Sequence, residues 1–216
     1  MSAAAAHAAP LPTIVVALGD STTAGTPGFL SPLEAPPDGR GDPESQSAYW
    51  MAKARPAWRV LNRGVNGERA DEIRARFETS VTAEKPTVVV VLAGVNDAYQ
   101  DRRANETEAD LLWMWRRAKE IGAVPVAATI LPFSRANPAQ NARLAALNAW
   151  IKKTAAAEKV AVCDTARAAA DPTDATKLKA SPDGLHPDPA TYRAVADALV
   201  KTISEVIQRK GPGPKR

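Results

Sequence analysis

The sequence predicts an α/β protein: a single-domain, three-layer α/β/α sandwich around a five-stranded parallel sheet. Two observations carry this. Short runs of apolar and β-branched residues alternate about five times with segments whose apolar residues fall at helical spacing, the pattern of parallel strands joined by crossover helices. Several of the strands also end in small and polar residues, at the carboxyl edge where open α/β sheets place their ligands. The sequence shows no internal repeat or linker. The expected strand order is flavodoxin-like, 2-1-3-4-5, over residues 13–208, between a flexible N-terminal segment (1–12) and a flexible basic tail (209–216).

The first strand lies in Thr13–Gly25, TIVVALGDSTTAG, where the run Ile14–Leu18 breaks abruptly into Gly19-Asp20-Ser21-Thr22-Thr23. A buried strand delivering a serine to its carboxyl end suits either a helix N-cap or a nucleophile. Residues 26–45 contain five prolines and three glycines, which excludes regular structure over most of the stretch. A loop of that length in a compact domain is usually functional or disordered. A short helix over Gln46–Arg55 and a strand over Trp58–Val65 come next, the latter ending at Asn66-Gly67. Ala70, Ile73 and Phe77 then predict a helix over Glu68–Ser80.

Thr87–Leu92 holds four consecutive valines, a central strand covered on both faces, and ends in Ala93-Gly94-Val95-Asn96-Asp97. A helix near Glu106–Ile121 turns Leu111, Leu112 and Trp115 inward. Ala123–Ile130 is the fourth strand, Leu131–Pro138 a loop, Ala139–Ala157 a helix on Leu144, Leu147 and Ile151, and Lys159–Cys163 the fifth strand. The last helix, Pro189–Gln208, packs through Tyr192, Val195, Leu199, Ile203 and Ile207. The five tryptophans suit core and helix packing, with Trp50 and Trp113 the two to test for a pocket.

Composition narrows the function classes. The net charge of +4 comes from basic residues that are scattered except in the tail, which reads as a solvated terminus and not as a nucleic-acid surface. No apolar run is long enough to span a membrane. The single cysteine, Cys163, lies in an apolar run as a buried small hydrophobe and leaves the compartment undecided. The start lacks the basic and apolar regions of an intact signal peptide, although Ala6-His7-Ala8 has the form of a cleavage site. Both a cytoplasmic location and a periplasmic or secreted one after signal removal fit.

Of the two histidines, His7 lies in the alanine-rich start and His186 in Ser181-Pro182-Asp183-Gly184-Leu185-His186-Pro187. An aspartate three residues before a histidine, with a glycine between to let the chain turn, can accept from the imidazole Nδ1–H. Nε2 is then left to take a proton from a serine. The order Ser…Asp…His occurs among serine hydrolases, yet the G-x-S-x-G elbow of α/β-hydrolases is absent. Asp20 and Asp97 read as braces for their loops.

With these motifs the chain resembles the SGNH (GDSL-type) hydrolase superfamily. Gly19-Asp20-Ser21 matches its nucleophile block and Asn62-Arg63-Gly64-Val65-Asn66-Gly67 its glycine block, the loosest match. Gly94-Val95-Asn96-Asp97 matches its G-x-N-D block and Asp183-Gly184-Leu185-His186 its D-x-x-H block. The four stand in the family's order, and Thr22 replaces the leucine of the family's name. The resemblance implies Ser21 as nucleophile, His186 as general base and then acid, and Asp183 as its orienting carboxylate. It also implies an oxyanion hole of the Ser21 and Gly67 N–H groups and the Asn96 amide. The implied activity is hydrolysis of a small-molecule ester through an acyl-enzyme, with no cofactor, metal or nucleic-acid partner. Short acyl esters are the default substrate. Sugar O-acetyl esters, thioesters and lysophospholipids are the alternatives, with specificity placed in loops 26–45, 99–105 and 131–138. A competing class is a flavodoxin-like binding or signalling module in which Asp20, Thr22 and Thr23 hold a phosphate or ion and Ser21 is a cap. It leaves the Asp183–His186 pairing unexplained.

Overall fold

The computed structural model describes residues 12–210. Residues 1–11 of the expected flexible segment, with His7, and residues 211–216 of the expected tail lie outside the described residues, while Arg209 and Lys210, expected in that tail, continue the last helix, Pro189–Lys210. Five parallel strands form the sheet: β1 Thr13–Gly19, β2 Trp58–Gly64, β3 Val88–Leu92, β4 Val124–Ala128 and β5 Ala161–Cys163. Their spatial order is β2-β1-β3-β4-β5, the expected flavodoxin-like arrangement. The helices that build the cores and the site are α1 Ser21–Ala24, α2 Ser47–Ala54, α3 Ala70–Ala75, α4 Val95–Tyr99, α5 Ala104–Glu120, α6 Pro138–Ala157 and α7 Pro189–Lys210.

The valine run of β3 shows why there are three layers. Successive strand side chains point to opposite faces. Val89 and Val91 enter one core with Ile73 of α3, Leu111 and Trp115 of α5 and Leu147 and Ile151 of α6. Val88, Val90 and Leu92 enter the other with Met51 of α2 and Val195, Leu199 and Ile203 of α7. Every residue of β3 is buried, so two apolar faces are satisfied at once. Cys163 is buried in the second core, and that burial pushes its thiol up to about 11.

Three parts depart from the sequence expectation. Residues 68–80 are not one helix: the chain breaks at Arg76 between α3 and a separate turn, Phe77–Ser80. The loop over 26–45 contains a two-residue antiparallel ribbon pairing Phe29–Leu30 with Arg40–Gly41, then a 3₁₀ turn at Pro43–Ser45. Two short helices, α4 and Thr165–Ala169, stand where loops were expected.

Candidate active site

The carboxyl ends of β1, β2 and β3 bring three of the motifs to one edge. β1 stops at Gly19, and Asp20 then caps α1 by accepting from Thr22 N–H (2.9 Å) and Thr22 Oγ (2.7 Å). The cap is therefore Asp20, and Ser21, left open by the sequence as cap or nucleophile, is the first residue of the turn. Burial drives the Asp20 carboxyl up to about 7, against the two bonds from Thr22. β2 lies alongside, and its last residue must be small: a Cβ on Gly64 would stand 2.1 Å from Ala24 N. Asn62 braces the same crossing, donating to Ala24 C=O (2.9 Å) and accepting from Gly64 N–H (3.0 Å).

The fourth motif arrives on the loop before α7. His186 Nε2 is 3.0 Å from Ser21 Oγ, and His186 Nδ1 is 2.7 Å from Asp183 Oδ2. The other oxygen of Asp183 accepts the N–H groups of Leu185 and His186, each at 2.8 Å. Burial opposes the ionised form of this carboxylate, but the three bonds bring its pKa down to about 2. Ser181, not singled out from the sequence, closes the turn by donating to His186 C=O (2.6 Å) and accepting from Gly184 N–H (2.8 Å). Gly184 has φ +77°, the left-handed conformation its place in the turn required.

Asn96 sits in the first turn of α4, and its amide donates one N–H to the Glu68 carbonyl at 2.9 Å. An amide nitrogen carries two N–H groups, so a second remains for a ligand. Asp97 is buried and structural, accepting from Ala70 N–H (3.0 Å), Thr107 Oγ (3.0 Å) and Arg102 Nη1 (2.9 Å). Gly67 follows β2 with φ +81°.

Ser21, Thr22, Asn66, Val95, Asn96, Tyr99, Phe133, Leu185 and His186 line one cavity of about 200 Å³. It unites Ser21, Asn96 and His186. Asp183 stands behind the imidazole, and Gly67 is not among the lining residues, although its neighbour Asn66 is. The apolar wall is made by Val95 and Leu185, which lie within recognised motifs, and by Tyr99 and Phe133, which lie in the 99–105 and 131–138 segments where specificity was expected. Trp50 and Trp113, the tryptophans to be tested, lie elsewhere. Trp50 packs with Lys53 and Arg193, and Trp113 lies edge-on to Phe77 beneath Arg74. Among the described residues no cluster of His, Cys, Asp and Glu side chains is arranged to hold a metal ion.

Ser21, at the carboxyl end of β1, thus lies in one hydrogen-bonded line with His186 and Asp183 from the loop before α7. Residues 17–194 match the GDSL-like lipase/acylhydrolase family, to which this chain belongs. It is 28% identical to the uncharacterised lipoprotein YqeF of Bacillus subtilis over 57% of this chain, an alignment that covers 50% of that relative. It is also 38% identical to an acetylxylan esterase of Geobacillus stearothermophilus over a short stretch, 19% of each chain. Among solved structures, a G-D-S-L family protein from Desulfitobacterium hafniense superposes with a TM-score of 0.74 at 22% identity, covering 88% of this chain and 99% of that one. The acetylxylan esterase Axe2 of G. stearothermophilus superposes with a TM-score of 0.68 at 21% identity, covering 90% and 96%. Both likenesses establish the shared fold. Among the described residues no helix is long and apolar enough to cross a membrane.

Proposed function

We propose that the protein is a serine esterase that hydrolyses short-chain carboxylic esters through an acyl-enzyme. The observation that carries this reading is the line from Ser21 Oγ through His186 to Asp183, at 3.0 and 2.7 Å, opening into a small cavity. Ser21 Oγ attacks the ester carbonyl as His186 Nε2 takes its proton, and the ionised Asp183 stabilises the imidazolium. The tetrahedral oxyanion is received by the Ser21 and Gly67 N–H groups and the free N–H of Asn96. The alcohol leaves with the proton from Nε2. Water, deprotonated by the same nitrogen, then attacks the acyl carbon, releasing the acid and restoring Ser21.

Acyl size follows from the cavity. At about 200 Å³ it is smaller than the ~300–1,000 Å³ typical of sites that enclose a drug-sized ligand, which suits a short acyl group. One observation favours an acetylated sugar as the ester. Tyr99, a residue 55% exposed, helps line this cavity, and its ring offers a surface against which the C–H face of a sugar can lie. The likeness to acetylxylan esterases accords with that. The binding-module alternative has less support, because Asp20 is 1% exposed and committed to Thr22.

The test is a rate series on p-nitrophenyl esters of increasing acyl length, wild type beside Ser21→Ala. The reading expects fastest turnover on the shortest acyl groups and loss of turnover in a mutant whose circular dichroism is unchanged. Turnover in Ser21→Ala equal to wild type overturns it.

A further inference from the structure

The break between α3 and the following turn falls at Arg76, and the Arg76 side chain, 16% exposed, bonds inward. Its Nη2 donates to the Gly19 carbonyl at 3.0 Å, its Nε to Glu68 Oε2 at 2.7 Å and its Nη1 to Ser80 Oγ at 3.3 Å. Gly19 immediately precedes the Asp20 cap of the Ser21 turn, and its carbonyl also accepts Val65 N–H at 3.2 Å. Glu68 directly follows Gly67, and its own carbonyl holds the Asn96 amide at 2.9 Å. One guanidinium therefore joins the segment before Ser21 to the residue that links Gly67 with Asn96. A lysine could not do the same, because the donors of arginine are fixed in a planar fork while an ammonium is a point charge.

We propose that Arg76 is a positioning residue for the oxyanion hole, fixing the Ser21 N–H relative to the Gly67 N–H and the Asn96 amide. The proposal rests on the esterase reading above. It follows from the demand such a hole makes: its donors must be held within about 0.5 Å of productive geometry by side chains locked in turn by others. Arg76 touches none of the reacting atoms. Its removal leaves Ser21, His186 and Asp183 in place and loosens the spacing of the donors. That costs transition-state binding and spares substrate binding.

The experiment compares Arg76→Met, Arg76→Lys and Glu68→Gln in the full chain, reading kcat and KM on p-nitrophenyl acetate. It also reads inhibition by a trifluoromethyl ketone, whose serine adduct carries the oxyanion. For Arg76→Met the expectation is a kcat lower by ~10–100-fold, somewhat less than removal of a donor itself, with KM within about twofold. Affinity for the ketone falls by a similar factor, and Arg76→Lys and Glu68→Gln lie between Arg76→Met and wild type. Unchanged kcat in Arg76→Met, a loss expressed in KM alone, or a fall in kcat without weaker ketone binding overturns the proposal. If Arg76→Met does not fold, the same criteria apply to the two milder variants. Wild-type turnover in Ser21→Ala would instead remove the esterase reading, whatever Arg76 does.

Discussion

Asp183→Asn perturbs one property of the site while keeping its shape. In the wild type, Asp183 Oδ1 accepts Leu185 N–H and His186 N–H at 2.8 Å, and Oδ2 faces His186 Nδ1 at 2.7 Å. The asparagine amide oxygen can keep both backbone bonds, which turns its NH₂ toward Nδ1. An NH₂ can only donate, so Nδ1 must become the acceptor and the ring proton moves to Nε2. Nε2, 3.0 Å from Ser21 Oγ, then presents a hydrogen where a lone pair is needed. The corresponding change of tautomer in the general Ser-His-Asp mechanism costs about 10⁴ in kcat. At ~1.36 kcal/mol per decade, that is about 5.4 kcal/mol of transition-state stabilisation. Because the loop bonds survive, KM and melting temperature should stay near wild type. Asp183→Ala, which also strips two backbone N–H groups of their acceptor, should melt lower. The assay is initial-rate kinetics on p-nitrophenyl acetate with thermal denaturation of each variant. Activity of Asp183→Asn within about tenfold of wild type would refute the reasoning, since wrong-tautomer arithmetic demands a far larger loss.

Asn96→Ala should lower kcat by ~10²–10³ with little change in KM, as removal of one oxyanion donor does, read from steady-state kinetics. Asp20→Asn should raise the melting temperature at pH 8 and have a much smaller effect at pH 5. The folded pKa of Asp20 is about 7, above its ordinary value of 3.8, so its contribution to stability is full below the ordinary value and is lost as pH rises through 7. A neutral isostere escapes that loss, and melting curves from pH 5 to 8 check it. Asp183 has the opposite sign: its pKa of about 2 gives stability present above its ordinary 3.8 and lost as pH falls toward 2, visible in acid titration of folding. Tyr99→Ala should lower the ratio of kcat/KM on an acetylated xyloside to that on vinyl acetate. An unchanged ratio would count against the sugar reading.

The sheet was legible because its signals are local. The β-branched run at 88–92 and the glycine punctuation after each of the first three strands need no knowledge of the rest of the chain. Ser21, Asn96 and His186 were legible because short motifs carry them to the ends of those strands. The bracing around them was not. Ser31 Oγ donates to the Gly64 carbonyl at 2.6 Å, and Glu34 accepts Asn66 N–H at 3.1 Å, so the proline-rich loop holds the glycine block in place. Such bonds span about thirty residues and leave no periodicity to read. The break at Arg76 was hidden for a related reason: Ala70, Ile73 and Phe77 keep helical spacing across it. The bond of Arg76 to the Gly19 carbonyl, 57 residues away in sequence, accompanies the break and leaves no trace in that spacing. The aromatic wall was legible only as segments: 99–105 and 131–138 hold Tyr99 and Phe133, but that their rings meet edge-on, 5.9 Å between centroids, depends on the fold that brings the end of α4 to the loop after β4.

The most direct test of the central claim, a nucleophilic Ser21 activated by His186, is covalent labelling with a fluorophosphonate. Intact-mass analysis and peptide mapping follow on wild type, Ser21→Ala and His186→Ala. The account predicts one adduct per chain, mapped to Ser21, formed far more slowly in His186→Ala and absent in Ser21→Ala, with loss of esterase activity in proportion to labelling. An adduct on another residue, or full ester hydrolysis by protein whose Ser21 is quantitatively labelled, would contradict it.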